Sequence, residues 1–81
     1  MKTTSYFEAN RDRPDRRMIE DRWIERVLTA PLHRKVQNDG RIRLWGRVEE
    51  AKGRFLRVVV LEDGETVHNA FFDRRFKVED E

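Results

Sequence analysis

No cysteine occurs among the 81 residues, which excludes a disulfide framework and any thiolate metal site. Proline is scarce, at two residues, and the four glycines stand apart from one another, so no glycine-rich phosphate loop is encoded. No apolar run approaches the roughly 18 residues of a membrane span. The opening MKTTSYFEANRDR lacks the apolar stretch of a secretory signal, and a cytoplasmic location is the expectation. Ser5 is the only serine and has no neighbour that would make it a nucleophile. The two histidines, His33 and His68, have no Asp or Glu at metal-ligand spacing, so neither metal nor cofactor is expected.

What remains is a short, heavily charged chain with a small apolar fraction. Hydrophobic residues make up 37% and charged residues 42%, leaving material for one modest core and one domain over residues 1–81. A polar arm at 1–14, containing Tyr6 and Phe7 as anchors, and a charged tail at 77–81 flank it. Of 18 basic residues 14 are arginine, the side chain best suited to bidentate phosphate contacts and aromatic stacking. The net charge is +2, and the last three residues are all acidic; without them 18 basic residues face 13 acidic ones. That balance is compatible with a nucleic-acid partner and equally with a solvated surface.

In DRRMIEDRWIERVLTAP, Ile19, Trp23, Ile24, Val27 and Leu28 recur at spacings of three and four, which predicts a helix over about 20–29 with one buried stripe. Asp21 is a candidate cap and Pro31 the stop. The 1–14 arm is either extended or a short first helix, punctuated by Pro14. From Asp39 the period changes to two. GRIRLWGRV, FLRVVVLE and ETVHNAFF read as strands, and Asp63-Gly64 signals a two-residue hairpin turn of type I′. That turn pairs Val60 with Val67, Val58 with Asn69 and Leu56 with Phe71, with Glu62 facing Glu65. The expected fold is α+β, with an N-terminal helix or helices on one face of a three- to four-stranded antiparallel sheet.

This register places Ile42, Leu44, Val48, Leu56, Val58, Val60, Val67, Asn69 and Phe71 on the helix side. Arg43, Trp45, Arg47, Arg57, Val59, His68 and Phe72 fall on the other. Arginines there can bind phosphate, and Trp45 can stack an unpaired base; a second core or a dimer contact are its alternatives. His68 is a candidate general acid or base, set against the commoner structural role of a strand histidine. Arg43, Arg57 and Arg74 are candidates to stabilise a phosphorane. Arg41, Arg47 and Arg75 extend the basic surface. His33 is expected in a polar, exposed loop.

The order DRRMIEDRWIERVLTAP, GRIRLWGRV, FLRVVVLEDGETVHNAFFDRRF resembles small single-domain members of the RelE/BrnT-like ribonuclease toxin superfamily, over about residues 10–76. The resemblance implies RNA as substrate or ligand, metal-independent endoribonuclease activity and a small antitoxin-like protein as partner. It puts Arg43, Arg57, His68 and Arg74 at places comparable to the family's catalytic positions. Phe71 and Phe72 stand where an active relative carries a tyrosine. The alternative is a non-catalytic protein-interaction or dimerisation module, such as a homodimer, on the same scaffold.

Overall fold

The computed structural model describes residues 1–78; the last three positions of the expected 77–81 tail lie outside the described residues. Thr4 opens helix α1 (Ser5–Asn10) by accepting a hydrogen bond from the Phe7 N–H at 3.1 Å, satisfying one of the free donors of the first turn. Residues 11–19 then pass through successive turns rather than continuing as helix. Helix α2 (Asp21–Thr29) follows. Glu20, not Asp21, occupies its N-cap, without a side-chain cap bond; Asp21 instead pairs with Arg11. The α2 stripe buries Trp23, Ile24 and Val27.

Four strands form one antiparallel meander in the order β1 (His33–Val36), β2 (Ile42–Val48), β3 (Arg54–Val60), β4 (Val67–Phe72). Strand β1 replaces the polar loop expected around His33. All four of its residues are exposed, so it carries no apolar alternation, and backbone pairing with β2 alone defines it. Gln37 and Gly40 close the β1–β2 turn, with Gly40 at φ 91°. Between β2 and β3, Lys52 and Gly53 both adopt left-handed conformations after a short 3₁₀ turn.

The β3–β4 connection departs from the expected type I′ turn. Gly64 has positive φ and Asp63 does not, because the Asp63 carboxylate instead collects the N–H groups of Glu65 and Thr66, each at 2.9 Å. Val60 still opposes Val67, but the next pair is Val59 with Asn69. His68 is the extra residue of a β-bulge, and every later side chain of β4 changes face. Ala70 and Phe72 turn to the helices, while Asn69 and Phe71 turn away. The expected core positions of Asn69 and Phe71, and the open-face position of Phe72, are corrected accordingly.

Helices and sheet meet over Leu56, Val58, Val60 and Val67, all at 0% exposure, with Ile24, Val27 and Val48. Full burial of each large aliphatic side chain contributes about 1.5–3 kcal/mol. Helix α2 lies on β2 and β3, and α1 on β4. Residues Lys2–Thr4 run parallel to β4, exchanging backbone bonds with Val67 at 2.8 and 3.0 Å. Both helices therefore occupy one side, and the opposite sheet face has no helix over it. Among the described residues no helix is long and apolar enough to cross a membrane.

Candidate functional site

The helix-free face is organised by cross-strand register. Lys35, Arg43, Val59 and Asn69 form one row across the sheet, and His33, Trp45, Arg57 and Phe71 form the next. Residues of one row share a face because antiparallel partners project the same way. Two hollows flank Arg57. The first gathers His33, Lys35, Arg43, Arg57, Arg75 and Lys77 around Asp73, its one carboxylate among the described residues. The second is lined by Tyr6, Gln37, Arg41, Arg57, His68 and Asn69, with no acidic side chain among the described residues of its wall.

Asp73 is already spent on internal partners. Its Oδ2 accepts from Arg57 Nε at 3.0 Å, Arg57 Nη2 at 2.8 Å and the Trp45 indole N–H at 2.9 Å. Its Oδ1 accepts from the Arg75 backbone N–H at 3.0 Å. Burial pushes the Asp73 carboxyl upward, but the bonds from Trp45, Arg57 and the Arg75 backbone outweigh it and hold the group below the usual carboxylate range. It remains an anion at neutral pH and fixes Arg57 in place. Arg43 is oriented separately, by donating from Nε to Gln37 Oε1 at 2.7 Å.

His68 is clamped from the N-terminal arm. Its Nδ1 lies 3.0 Å from Thr4 Oγ1, and its ring stacks on Tyr6 with centroids 4.7 Å apart. Burial lowers its pKa first, and the Arg41 charge lowers it further against a smaller opposing effect of Asp39. The imidazole is therefore neutral at pH 7. Across the hollow, Asn69 Oδ1 accepts from Arg16 Nη1 at 2.7 Å, and Phe71 lies between the guanidinium groups of Arg16 and Arg57, at 5.3 and 5.0 Å.

The predicted residues thus divide into three groups. His68, Arg41 and Arg57 share one hollow; Arg43, Arg57, Trp45 and Arg75 share the other. Arg47 and Arg74 stand apart. Arg47 lies over Phe55 at 4.6 Å and donates to the Gly53 carbonyl, while Arg74 lines a separate hollow with Arg54 and Phe72. Neither lines the hollow that holds His68.

Trp45 lies under a cover. It is only 5% exposed, and its cover comes from its own chain: Phe76 stacks on it at 4.9 Å with 15° between the rings. In the free chain its ring belongs to an aromatic cluster with His33, Phe55 and Phe76. His33 and Lys35 join the site through the unexpected strand β1, and Tyr6 through α1. No local sequence pattern connects Tyr6 to His68, 62 positions away by residue number. Among the described residues no three His, Asp or Glu side chains converge as metal ligands.

Comparison with known proteins returns no matching family model, no matching curated protein and no matching solved structure.

Proposed function

We propose that this chain is an RNA-binding domain that holds a single strand across the helix-free face of its sheet. One observation carries the proposal: five Lys and Arg side chains, with His33, surround one hollow whose single carboxylate among the described residues is occupied by Arg57, Trp45 and a backbone N–H. Such a hollow attracts a polyanion, because among the described residues its cations outnumber the Asp73 charge that Arg57 offsets. The neighbouring Tyr6 ring, Gln37 and Asn69 add a stacking surface and amide groups able to bond a base edge or a 2′-hydroxyl. Cytoplasmic residence belongs to the same proposal. Fluorescence anisotropy with a labelled single-stranded RNA tests it. Salt-sensitive binding is expected, with competition by unlabelled RNA; absence of binding at low salt would refute it.

A cleaving activity is favoured by the clamped geometry of His68 beside Arg41 and Arg57. In the tautomer whose Nδ1–H donates to Thr4 Oγ1, Nε2 carries the free lone pair. Nε2 would take the 2′-hydroxyl proton as O2′ attacks phosphorus, and the P–O5′ bond would break. The leaving O5′ would take a proton from water, giving a 2′,3′-cyclic phosphate and a 5′-hydroxyl. Arg41 and Arg57 would stabilise the dianionic phosphorane between these states. An antitoxin-like protein partner accompanies this activity and is not required by RNA binding alone. Incubation of a labelled RNA with purified protein in the presence of a chelator distinguishes the two: cyclic-phosphate ends support cleavage, and intact bound RNA leaves the binding function alone.

A further inference from the structure

The ring of Phe76 occupies the position that a nucleic-acid base would take on Trp45. The two planes are 15° apart at a centroid distance of 4.9 Å, within the range of aromatic stacking. Phe55 meets the outer ring edge-on at 5.1 Å, and His33 lies 5.8 Å away. The platform beneath is rigid, because Trp45 sits on a central strand with its indole N–H bonded to Asp73.

The segment carrying the cover is held differently. Asp73 N–H continues the ladder to Phe55 O of β3 at 2.9 Å. Past Asp73, the described backbone bonds are from Arg75 N–H to Asp73 Oδ1 at 3.0 Å and from Phe76 N–H to Asp73 O at 3.4 Å. Both are local to Asp73, and neither joins residues 74–78 to the ladder of the sheet. The Phe76 side chain attaches this segment to the open face through Trp45, Phe55 and His33. Around the stacked pair stand Lys35, Arg43, Arg75 and Lys77, placed for the phosphates of a strand whose base lay on the indole.

We infer that Trp45 is a base-stacking site and that Phe76 is its internal occupant in the free protein, displaced when an unpaired base binds. This inference rests on the RNA-binding proposal and adds the site and its gate. Exchange of one stacked ring for another is close to balanced, so Phe76 competes with the ligand rather than blocking it permanently.

The test compares wild type with Phe76→Ala, using labelled oligouridylate and inorganic polyphosphate as separate probes. Phe76→Ala should bind oligouridylate about threefold to tenfold more tightly, while polyphosphate affinity is unchanged. In the wild-type complex, magnetisation transfer between the Trp45 and Phe76 rings should vanish in NMR spectra. Equal or weaker oligouridylate binding by Phe76→Ala, beside normal wild-type binding, would overturn the inference and leave the RNA-binding proposal standing. Failure of both proteins to bind either probe would overturn both. If Phe76→Ala loses its circular dichroism signal, Phe76→Leu keeps an apolar cover but removes the ring stacking and should show a smaller selective gain; no gain there overturns the inference.

Discussion

Asp73 holds Arg57 through one carboxylate oxygen, Oδ2, at 2.8 and 3.0 Å, and gives that same oxygen to the Trp45 indole. The contact joins the end of β4 to the middle of β3 and β2. It also offsets the Asp73 charge that faces the first hollow.

Replacing Asp73 with alanine should destabilise the fold by about 2 kcal/mol in chemical denaturation. The figure lies below that of a fully buried pair because the Arg57 side chain retains 22% exposure. The Asp73 carboxyl is held below its ordinary range in the folded state. Its contribution is therefore present above the unfolded carboxylate pKa of about 3.9 and is lost as pH falls through the lower folded value. Asp73→Asn should flatten that acid limb of stability; an unchanged limb would show that the pair contributes nothing.

A methyl group at Gly46 would approach Val27 Cγ2 to 2.7 Å, at the contact that seats α2 on β2. Gly46→Ala should cost about 1–3 kcal/mol by overpacking. Val27→Ala in the same chain should recover part of that loss, giving a coupling of opposite sign to the single effects. Strict additivity in the double-mutant cycle would argue against this seating.

Asp63 should titrate near pH 2 in an NMR measurement. Its carboxyl is pushed down to about 2, first by the Thr66 hydroxyl and then by the N–H groups of Glu65 and Thr66. Because the folded value is depressed, loop stability should be present above the ordinary carboxylate range and fall as pH drops towards 2. A normal titration would mean that the carboxylate does not collect those N–H groups in solution.

His68 should titrate below 6.5, the ordinary histidine value. Its neutral form favours folding, so this contribution is present above the unfolded pKa and declines as pH falls from there towards the folded value. If cleavage occurs, kcat/KM should rise with pH to a plateau with an apparent pKa below 6.5, and His68→Ala should lower the rate about 10²–10⁴-fold. A bound histidine with unaltered titration, or full activity without it, would contradict the assigned role.

The α2 stripe and the three longer strands were legible because their apolar residues carry strong periods of three to four and of two. The arginine-rich open face followed from the same alternation in IRLWGRV. Strand β1 was not legible, since HRKV is exposed on both faces as an edge strand. The bulge at His68 was equally hidden: Asp63-Gly64 constrains the first pair of the hairpin, while Lys2 and Thr4 grip β4 at Val67 from the far end of the sequence. That shift decided the faces of Asn69, Ala70, Phe71 and Phe72. Trp45 was placed on the correct face but not under Phe76, because cover by a segment beyond the last strand depends on tertiary folding alone.

RNA affinity as a function of salt tests the central proposal most directly, in wild type and in a Lys35→Gln/Arg43→Gln variant. These two side chains line the basic hollow without joining the Asp73 contact, so the fold should survive their neutralisation. Wild-type affinity for a single strand should fall linearly with the logarithm of salt, and the double variant should lower the slope by about 1.4, or about 0.7 per lost phosphate contact. Wild-type protein that fails to bind RNA at low salt, or a double variant with the same affinity and slope, would contradict RNA binding at this face.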